Sequence, residues 1–223
     1  MPRRPRQGTG GVVYHVLNRS VRGARLFEHD LDYEAFEAVI AEALLFQPMR
    51  VLHYCVMPNH WHFLLWPVND DDLSAFMRWL TLTHTQRYHA ARETVGSGPI
   101  YQGRFKSFPV QDDEHYLTVA RYIERNPVRA GLVSMAALWR WGSLHRREKG
   151  DAEAMSILSE GPVPLPSGWS AWVDAPQSER DLAEIRQSVR RGRPFGGAAW
   201  QGSIAARLGL APTLRPIGRP RQS

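Results

Sequence analysis

The sequence predicts an α+β fold of the ferredoxin-like type, with a split βαβ order (β-α-β-β-α-β-α), an antiparallel sheet and a small basic helical appendage after it. Two observations carry this prediction. Short apolar segments of strand length alternate with longer segments of helical periodicity, and a Pro-Asn turn separates the second strand from the third. The length of 223 residues and the 43% hydrophobic content allow one folded domain plus an appendage.

The first half of the chain supplies the β-α-β-β part. Residues 11–20 are predicted as a strand because they are apolar and end in a polar Asn-Arg-Ser. Residues 30–46 follow an acidic start and repeat their apolar side chains at helical spacing, which predicts a helix. Residues 51–57 and 60–67 are two apolar runs around the Pro-Asn turn, which predicts a hairpin.

The second half completes the pattern with α-β-α. Three aspartates open a helix predicted over residues 70–92, since acids favour a helix N-terminus. Residues 101–110 are predicted as a fourth strand. A third helix is expected from Asp112 to about Arg125, where the following Asn-Pro stops it.

The charge of the chain indicates an anionic partner. The formal net charge is +6, the pI is about 9.9, and all cations except Lys106 and Lys149 are arginines. Arginine offers a planar fork that suits phosphate oxygens, although a GC-rich genome would give the same bias. The single Cys55 excludes an internal disulfide and fits the cytoplasm, and the absence of a long apolar stretch predicts no membrane span.

Two histidines in the predicted third strand are candidate metal ligands. His60 and His62 are two residues apart, so both rings point to one face of the strand while Trp61 points to the other. Two neutral imidazoles with room for a third ligand can begin a divalent-metal site. The pair alone is equally compatible with two half-exposed strand histidines, and Trp61 is expected in the core rather than as a base-stacking platform.

The predicted third helix carries groups that could complete such a site. Tyr122 and Asn126 are four residues apart and therefore lie on one helix face. The Asn carbonyl oxygen is an acceptable ligand for Mg²⁺ or Mn²⁺, and a tyrosine hydroxyl beside the metal could attack a polarised phosphate. Tyr116 comes six residues earlier, faces elsewhere and is expected to serve in packing.

Three separated motifs show a family resemblance. MPNHWHFLLWP, YQGRFKS and RYIERNPVRAGLV, in this order and spacing, resemble the single-tyrosine HUH transposases of the insertion-sequence 200/605 type, most closely their REP-associated tyrosine transposase branch. The resemblance covers about residues 10–145, and the tail from RRGRPFG onward is similar to tails of that branch.

The resemblance implies a function and roles for individual residues. His60 and His62 would be metal ligands, Tyr122 the nucleophile, and Asn126 would take the third-ligand place, which is often Gln in the wider class. The implied enzyme uses Mg²⁺ or Mn²⁺ to cleave and rejoin single-stranded, hairpin-bearing DNA through a 5′-phosphotyrosine and a free 3′-hydroxyl. It is expected to act as a monomer or a homodimer.

The expected organisation is a basic arm (1–10), a catalytic domain (11–145), a linker (146–170) and a basic DNA-recognition appendage (171–223). Eight arginines and no acids lie between residues 185 and 223, which fits either DNA recognition or a solubilising end. For Arg104 and Lys106 a merely solvated pair is the alternative to phosphate contact. The expected DNA-binding residues are Arg3, Arg4, Arg6, Arg19, Arg104, Lys106, Arg190, Arg191 and Arg193.

Two other functions remain open on the sequence. An HUH nickase of the replication-initiator type would use the same chemistry but usually carries a larger partner domain. A non-catalytic nucleic-acid-binding module would need exposed aromatic side chains on the central strands and no tyrosine beside the histidines.

Overall fold

A computed structural model describes residues 8–150 and 155–215, and it confirms the predicted split βαβ sheet. Strand β3 lies between β1 and β2 and is antiparallel to both, and β4 pairs with the other side of β1, which gives the order β2-β3-β1-β4. The strands are β1 (Val13–Arg19), β2 (Arg50–Met57), β3 (His60–Trp66) and β4 (Lys106–Val110).

Helices cover both faces of this sheet. Helices α1 (Asp30–Phe46) and α2 (Asp72–Ala91) pack on one face, and α3 (Glu114–Glu124) packs on the other. The shorter elements are α4 (Asn126–Arg129), α5 (Ser143–Lys149), α6 (Trp169–Asp174), α7 (Glu179–Arg191), α8 (Ala198–Arg207), α9 (Ala211–Leu214) and the 3₁₀ turns Val21–Gly23 and Ala136–Leu138. No helix within these described ranges is long and apolar enough to cross a membrane.

The alternation of side chains along β3 divides the interior into two cores. Trp61 and Phe63 are fully buried under α1 and α2, and the indole nitrogen of Trp61 donates a hydrogen bond to the Tyr101 hydroxyl (3.0 Å). His62 and Leu64 face α3 instead. The prediction that Trp61 belongs to the core is therefore confirmed.

Two element boundaries differ from the prediction. Strand β4 begins at Lys106 rather than near residue 101, because Tyr101 turns into the core and Asn18 holds the Gly103 carbonyl (3.1 Å). Helix α3 ends at Glu124, and Pro127 occupies the first turn of the separate helix α4. Proline fits this position because the first turn of a helix leaves its backbone N–H groups unpaired.

The C-terminal segment is built into the domain. Ile185 and Phe195 belong to the core under α3, and Ile204 belongs to the core under α1 and α2. The Phe195 backbone also extends the sheet at β4, since its N–H donates to Pro109 and its carbonyl accepts from Gln111 (both 2.9 Å). The alternative of an unstructured solubilising end is therefore wrong for residues 169–215.

The predicted linker is ordered where the structure describes it. Helix α5 runs to Lys149, past the expected end of the catalytic domain, and the Ser159 N–H donates to the Val51 carbonyl at the outer edge of β2 (2.8 Å). Gly161 lies directly against the Tyr116 hydroxyl, because a β-carbon added there would come within 2.1 Å of that oxygen. Both edges of the sheet are thus partly covered by later parts of the chain.

The position of Phe195 generates a stability test. Truncating this buried side chain in Phe195→Ala should lower the free energy of unfolding by about 3–5 kcal/mol, measured by urea denaturation. Phe46→Ala is a matched control, since Phe46 is 62% exposed and its truncation should cost less than about 1 kcal/mol. Equal losses in the two variants would show that residue 195 is not part of the core.

Candidate active site

The register of the sheet places the two predicted histidines beside a basic residue. His60 lies opposite Arg19 on β1, and His62 lies opposite Leu17. Residues opposite each other in an antiparallel pair share a face, so all four side chains lie on the α3 side of the sheet. The rings of His60 and His62 are 5.1 Å apart between centroids, which confirms the predicted shared face.

One nitrogen of each imidazole is already used by a neighbouring side chain. His60 Nδ1 lies 2.6 Å from the side-chain oxygen Oδ1 of Asn59, which can only accept, so Nδ1 donates and Nε2 keeps its lone pair. His62 Nδ1 shares a hydrogen bond with His15 Nε2 (2.9 Å). Within the described residues, Nε2 of both His60 and His62 is without a hydrogen-bond partner, so these two atoms are available to a ligand.

Burial keeps both rings neutral at physiological pH. It lowers the pKa of His60 to about 4, with Arg19 and Arg129 adding to the effect, and it holds the pKa of His62 well below its usual range. A neutral imidazole is the form that binds a metal ion. Both rings are therefore in the protonation state that metal binding requires.

Helix α3 carries Tyr122 across the sheet to this pair. The Tyr122 ring meets the His62 and His15 rings edge-on, with centroids 6.1 and 6.3 Å away. Its hydroxyl has no hydrogen-bond partner in the described part of the chain. The structure thus brings the predicted nucleophile next to the predicted metal ligands.

Tyr116 has a different environment on the same helix. It is 1% exposed, and its hydroxyl pairs with His53 Nε2 (2.8 Å), while His53 Nδ1 donates to the Glu124 carboxylate (2.7 Å). Burial raises the pKa of the Tyr116 hydroxyl. Tyr116 is therefore a packing residue, as its position on the helix predicts.

Asn126 is near the site, but its carbonyl oxygen is engaged. Asn126 is buried, and its Oδ1 accepts a hydrogen bond from Arg129 Nη2 (2.6 Å). The same Arg129 nitrogen donates to the Tyr122 carbonyl (3.1 Å), so Asn126 and Tyr122 are linked through one guanidinium. The expected role of Asn126 as third metal ligand stays a prediction.

Two residues of the site were not singled out from the sequence. His15 is fully buried on β1, and only the pairing of β1 with β3 reveals that it meets His62. Arg129 stands seven residues after Tyr122, at the end of α4, and its guanidinium lies 4.2 Å from the centroid of the Tyr122 ring. The periodicity that selected Asn126 could also have selected Arg129.

Three further histidines have partners within the protein. His84 Nδ1 pairs with the Tyr101 hydroxyl (2.6 Å), and His89 contacts Thr94 and Gly98. His115 pairs with Asp113 at the start of α3, and with Glu114 these residues form a small, partly exposed cluster.

Most of the expected DNA-binding residues in the described part of the chain line one basic surface. This surface begins at Arg19, which lies opposite His60. Arg19, Arg104 and Lys106 line a groove of about 540 Å³. Lys106 also lines an adjoining groove of about 780 Å³ together with Arg190 and Arg191. Arg207, which is not among the expected DNA-binding residues, lines this second groove too. We call these two grooves together the basic groove.

The other expected DNA-binding residues do not line the basic groove within the described part of the chain. Arg193 donates to the side-chain oxygens of Gln187 and Gln201, so its guanidinium is engaged within the fold. Arg3, Arg4 and Arg6 lie outside the described residues.

Comparisons with known proteins agree with this geometry. Residues 9–126 match the family described as IS200-like transposases. A Haemophilus influenzae protein named as a REP-associated tyrosine transposase is 26% identical over 151 residues, which cover 64% of this chain and 84% of the relative. A solved structure of a REP-associated tyrosine transposase bound to a REP hairpin has a similar fold, with a TM-score of 0.54 and 23% identity over 75% of this chain and 95% of that one. Because the family match spans more than half of its residues, this chain belongs to the IS200-like transposase family, whose members are enzymes that act on DNA.

Proposed function

We propose that this transposase cleaves and rejoins single-stranded DNA that carries a hairpin, with Tyr122 as the nucleophile. The observation that carries the proposal is the Tyr122 ring beside the His62 ring, with a hydroxyl that has no hydrogen-bond partner among residues 8–150 and 155–215. The named relatives are REP-associated transposases, and one of them was solved with a REP hairpin. We therefore propose a REP-like hairpin as the substrate class.

The proposed chemistry exchanges one phosphodiester bond for another. The Tyr122 oxygen loses its proton and bonds to the scissile phosphorus, and the bond from phosphorus to the 3′ oxygen breaks. The 3′ oxygen leaves with the bonding electron pair and takes up a proton, while the 5′ strand stays attached as a phosphotyrosine. Attack by a 3′-hydroxyl on this linkage reverses the sequence and joins two strands without an external energy source.

His60 and His62 would hold the divalent cation, which we propose to be Mg²⁺ or Mn²⁺. Their neutral rings and unpaired Nε2 atoms fit a metal, and imidazole donors favour Mn²⁺ over Mg²⁺. When bound there, a divalent ion would supply Lewis-acid polarisation of a phosphoryl oxygen. Asn126 would be the third ligand through Oδ1, which has a second lone pair beside the one that accepts from Arg129.

The basic groove is the proposed path of the DNA strand. Arg19 lies opposite His60, and Lys106 lies opposite Leu17, so cationic side chains begin directly beside the histidines. Arg190 and Arg191 extend this charge along β4. Phosphate contacts of this kind fix a strand in register without reading its sequence.

Further features distinguish this proposal from its alternatives. The oligomeric state, a monomer or a homodimer, stays a prediction. The aromatic side chains Trp61 and Phe63 of central strand β3 are buried, so they offer no stacking platform for a non-catalytic module. The cytoplasmic location stays a prediction.

The nucleophile is tested by removing one oxygen. Tyr122→Phe should bind the hairpin normally and form no covalent protein–DNA adduct, measured by denaturing gel electrophoresis with a labelled single-stranded hairpin. Tyr116→Phe is the matched control on the same helix and should still form the adduct. The reverse result would assign the chemistry to Tyr116.

The metal role is tested by removing a ligand or the ion. His60→Ala and His62→Ala should each slow adduct formation by about 100-fold or more, because the Lewis acid is lost, while hairpin affinity changes little. EDTA should have the same effect on the unaltered protein, and added Mn²⁺ should reverse it. His89→Ala should keep its activity. Undiminished adduct formation in EDTA would contradict the metal mechanism.

The basic groove is tested by the salt dependence of binding. Ile185 and Phe195 belong to the core, so point substitutions are preferable to deletion of the tail. The double variant Arg190→Gln/Arg191→Gln should reduce the slope of log affinity against log salt by about 0.7 for each phosphate of the single strand that the protein no longer neutralises.

Arg180→Gln provides the control for this measurement. Arg180 is an exposed arginine at the other end of the same helix and pairs with Glu184. Its substitution should leave the salt slope unchanged. An identical slope in the double variant and the control would remove Arg190 and Arg191 from the DNA path.

A further inference from the structure

We propose that Arg129 is the cation of the active site that orients Tyr122 and binds the scissile phosphate during the attack. This inference rests on the proposed function, in which Tyr122 attacks a phosphodiester. It adds a residue and a role to that site, and it gives Asn126 the task of positioning Arg129.

The contacts of Arg129 fix it to the nucleophile. Its guanidinium lies 4.2 Å from the centroid of the Tyr122 ring. Its Nη2 donates to the Tyr122 carbonyl (3.1 Å) and to Asn126 Oδ1 (2.6 Å). A cation over the face of a phenol ring is attracted to it, so this contact holds the Tyr122 ring in place.

The charge of Arg129 lacks an anionic partner. No carboxylate forms an ion pair with it in the described part of the chain, and the charged groups that act on it include the further cations Arg125 and Arg186. Glu124, the carboxylate on the neighbouring helix α3, is paired with His53 and Arg147. A half-buried guanidinium beside a nucleophile, with no anionic partner among the described residues, is suited to bind an anion. The substrate of this family provides one as a phosphodiester.

The guanidinium retains donors for that phosphate. Nη2 is occupied by Tyr122 and Asn126, whereas Nη1 makes only a 3.5 Å contact with Gln177, at the limit of a hydrogen bond. The N–H groups of Nη1 and Nε can donate to phosphate oxygens, and the positive charge of the guanidinium strengthens such hydrogen bonds. The Tyr122 ring contacts both this guanidinium (4.2 Å) and the His62 ring (centroids 6.1 Å apart), so the phosphate would be held between the arginine and the histidines.

The role of Asn126 follows from the same contacts. The oxygen that would bind a metal accepts the shortest hydrogen bond that Arg129 makes. Asn126 thus holds the guanidinium against the Tyr122 ring. A cation bound by His60 and His62 need not use this oxygen.

The experiment measures single-turnover adduct formation on a labelled hairpin, together with Mn²⁺ affinity from titration of the protein. Arg129→Ala should slow adduct formation by about 100- to 1,000-fold, the range seen when one donor to a developing oxyanion is removed. Mn²⁺ affinity should remain unchanged. Guanidinium ion at non-denaturing concentration should restore at least about tenfold of the lost rate, which a purely structural role would not allow.

Companion variants guard against misfolding. Arg129→Gln keeps the side-chain hydrogen bonding without the charge and should be as slow as Arg129→Ala. Asn126→Ala should slow the reaction and leave Mn²⁺ affinity unchanged. Arg125→Ala is the matched control: its guanidinium binds the Val173 and Asp174 carbonyls, and added guanidinium should not accelerate this variant.

Defined results would overturn the inference. An Arg129→Gln rate close to that of the unaltered protein would remove the charge from the mechanism, and a loss of Mn²⁺ affinity in Asn126→Ala would make Asn126 a metal ligand. Absence of guanidinium rescue would reduce Arg129 to a structural residue. An adduct formed by Tyr122→Phe would instead refute the proposed nucleophile, so the two failures are distinguishable.

Discussion

The buried carboxylate of Glu124 is the constraint on which the site depends. Burial by itself would raise the pKa of Glu124, but hydrogen bonds from His53 and Ser143 and the charge of Arg147 lower it, so the group stays ionised. Trp169 satisfies its second oxygen (2.7 Å). These partners come from β2, α5 and α6, and they fix α3 against the sheet. Breaking such a network would leave an uncompensated buried charge, which costs several kcal/mol. Because Tyr122 stands two residues earlier, its position follows from this anchor.

One face of the sheet packs the main apolar core, and the other face carries the residues of the candidate active site. Under α1 and α2 the interior is a continuous apolar core around Trp61 and Phe36. On the α3 side, the same sheet carries His60 and His62. The charged groups near these two histidines are cations, including Arg19 and Arg129. Neutral imidazoles among cations and few carboxylates suit a site that binds a negatively charged substrate, because the substrate then supplies the negative charge that the protein lacks there. The alternation of side chains along β3 allows one strand to serve both purposes.

The C-terminal segment completes the fold and shapes the basic groove at once. Its backbone at Phe195 extends the sheet at β4, and helix α7 packs Ile185 onto the core under α3. This packing places Arg190 and Arg191 next to Lys106 on β4. Pairing along an edge strand positions a basic helix more firmly than a flexible linker could, and it also protects the edge from pairing with another chain.

The sequence alone determined the elements and which side chains share a face, because the periods of strand and helix are local properties. It placed His60 with His62, Trp61 in the core, and the β-α-β-β-α-β-α order that builds the sheet. Only the tertiary structure decided the partners. The pairing of β1 with β3 brings His15 within hydrogen-bond distance of His62. The turn after α3 places the Asn126 side-chain oxygen where it accepts a hydrogen bond from Arg129. The packing of the C-terminal segment lets Arg193 donate to Gln201. These contacts join residues through strand register and helix placement, which depend on the whole core rather than on any one segment.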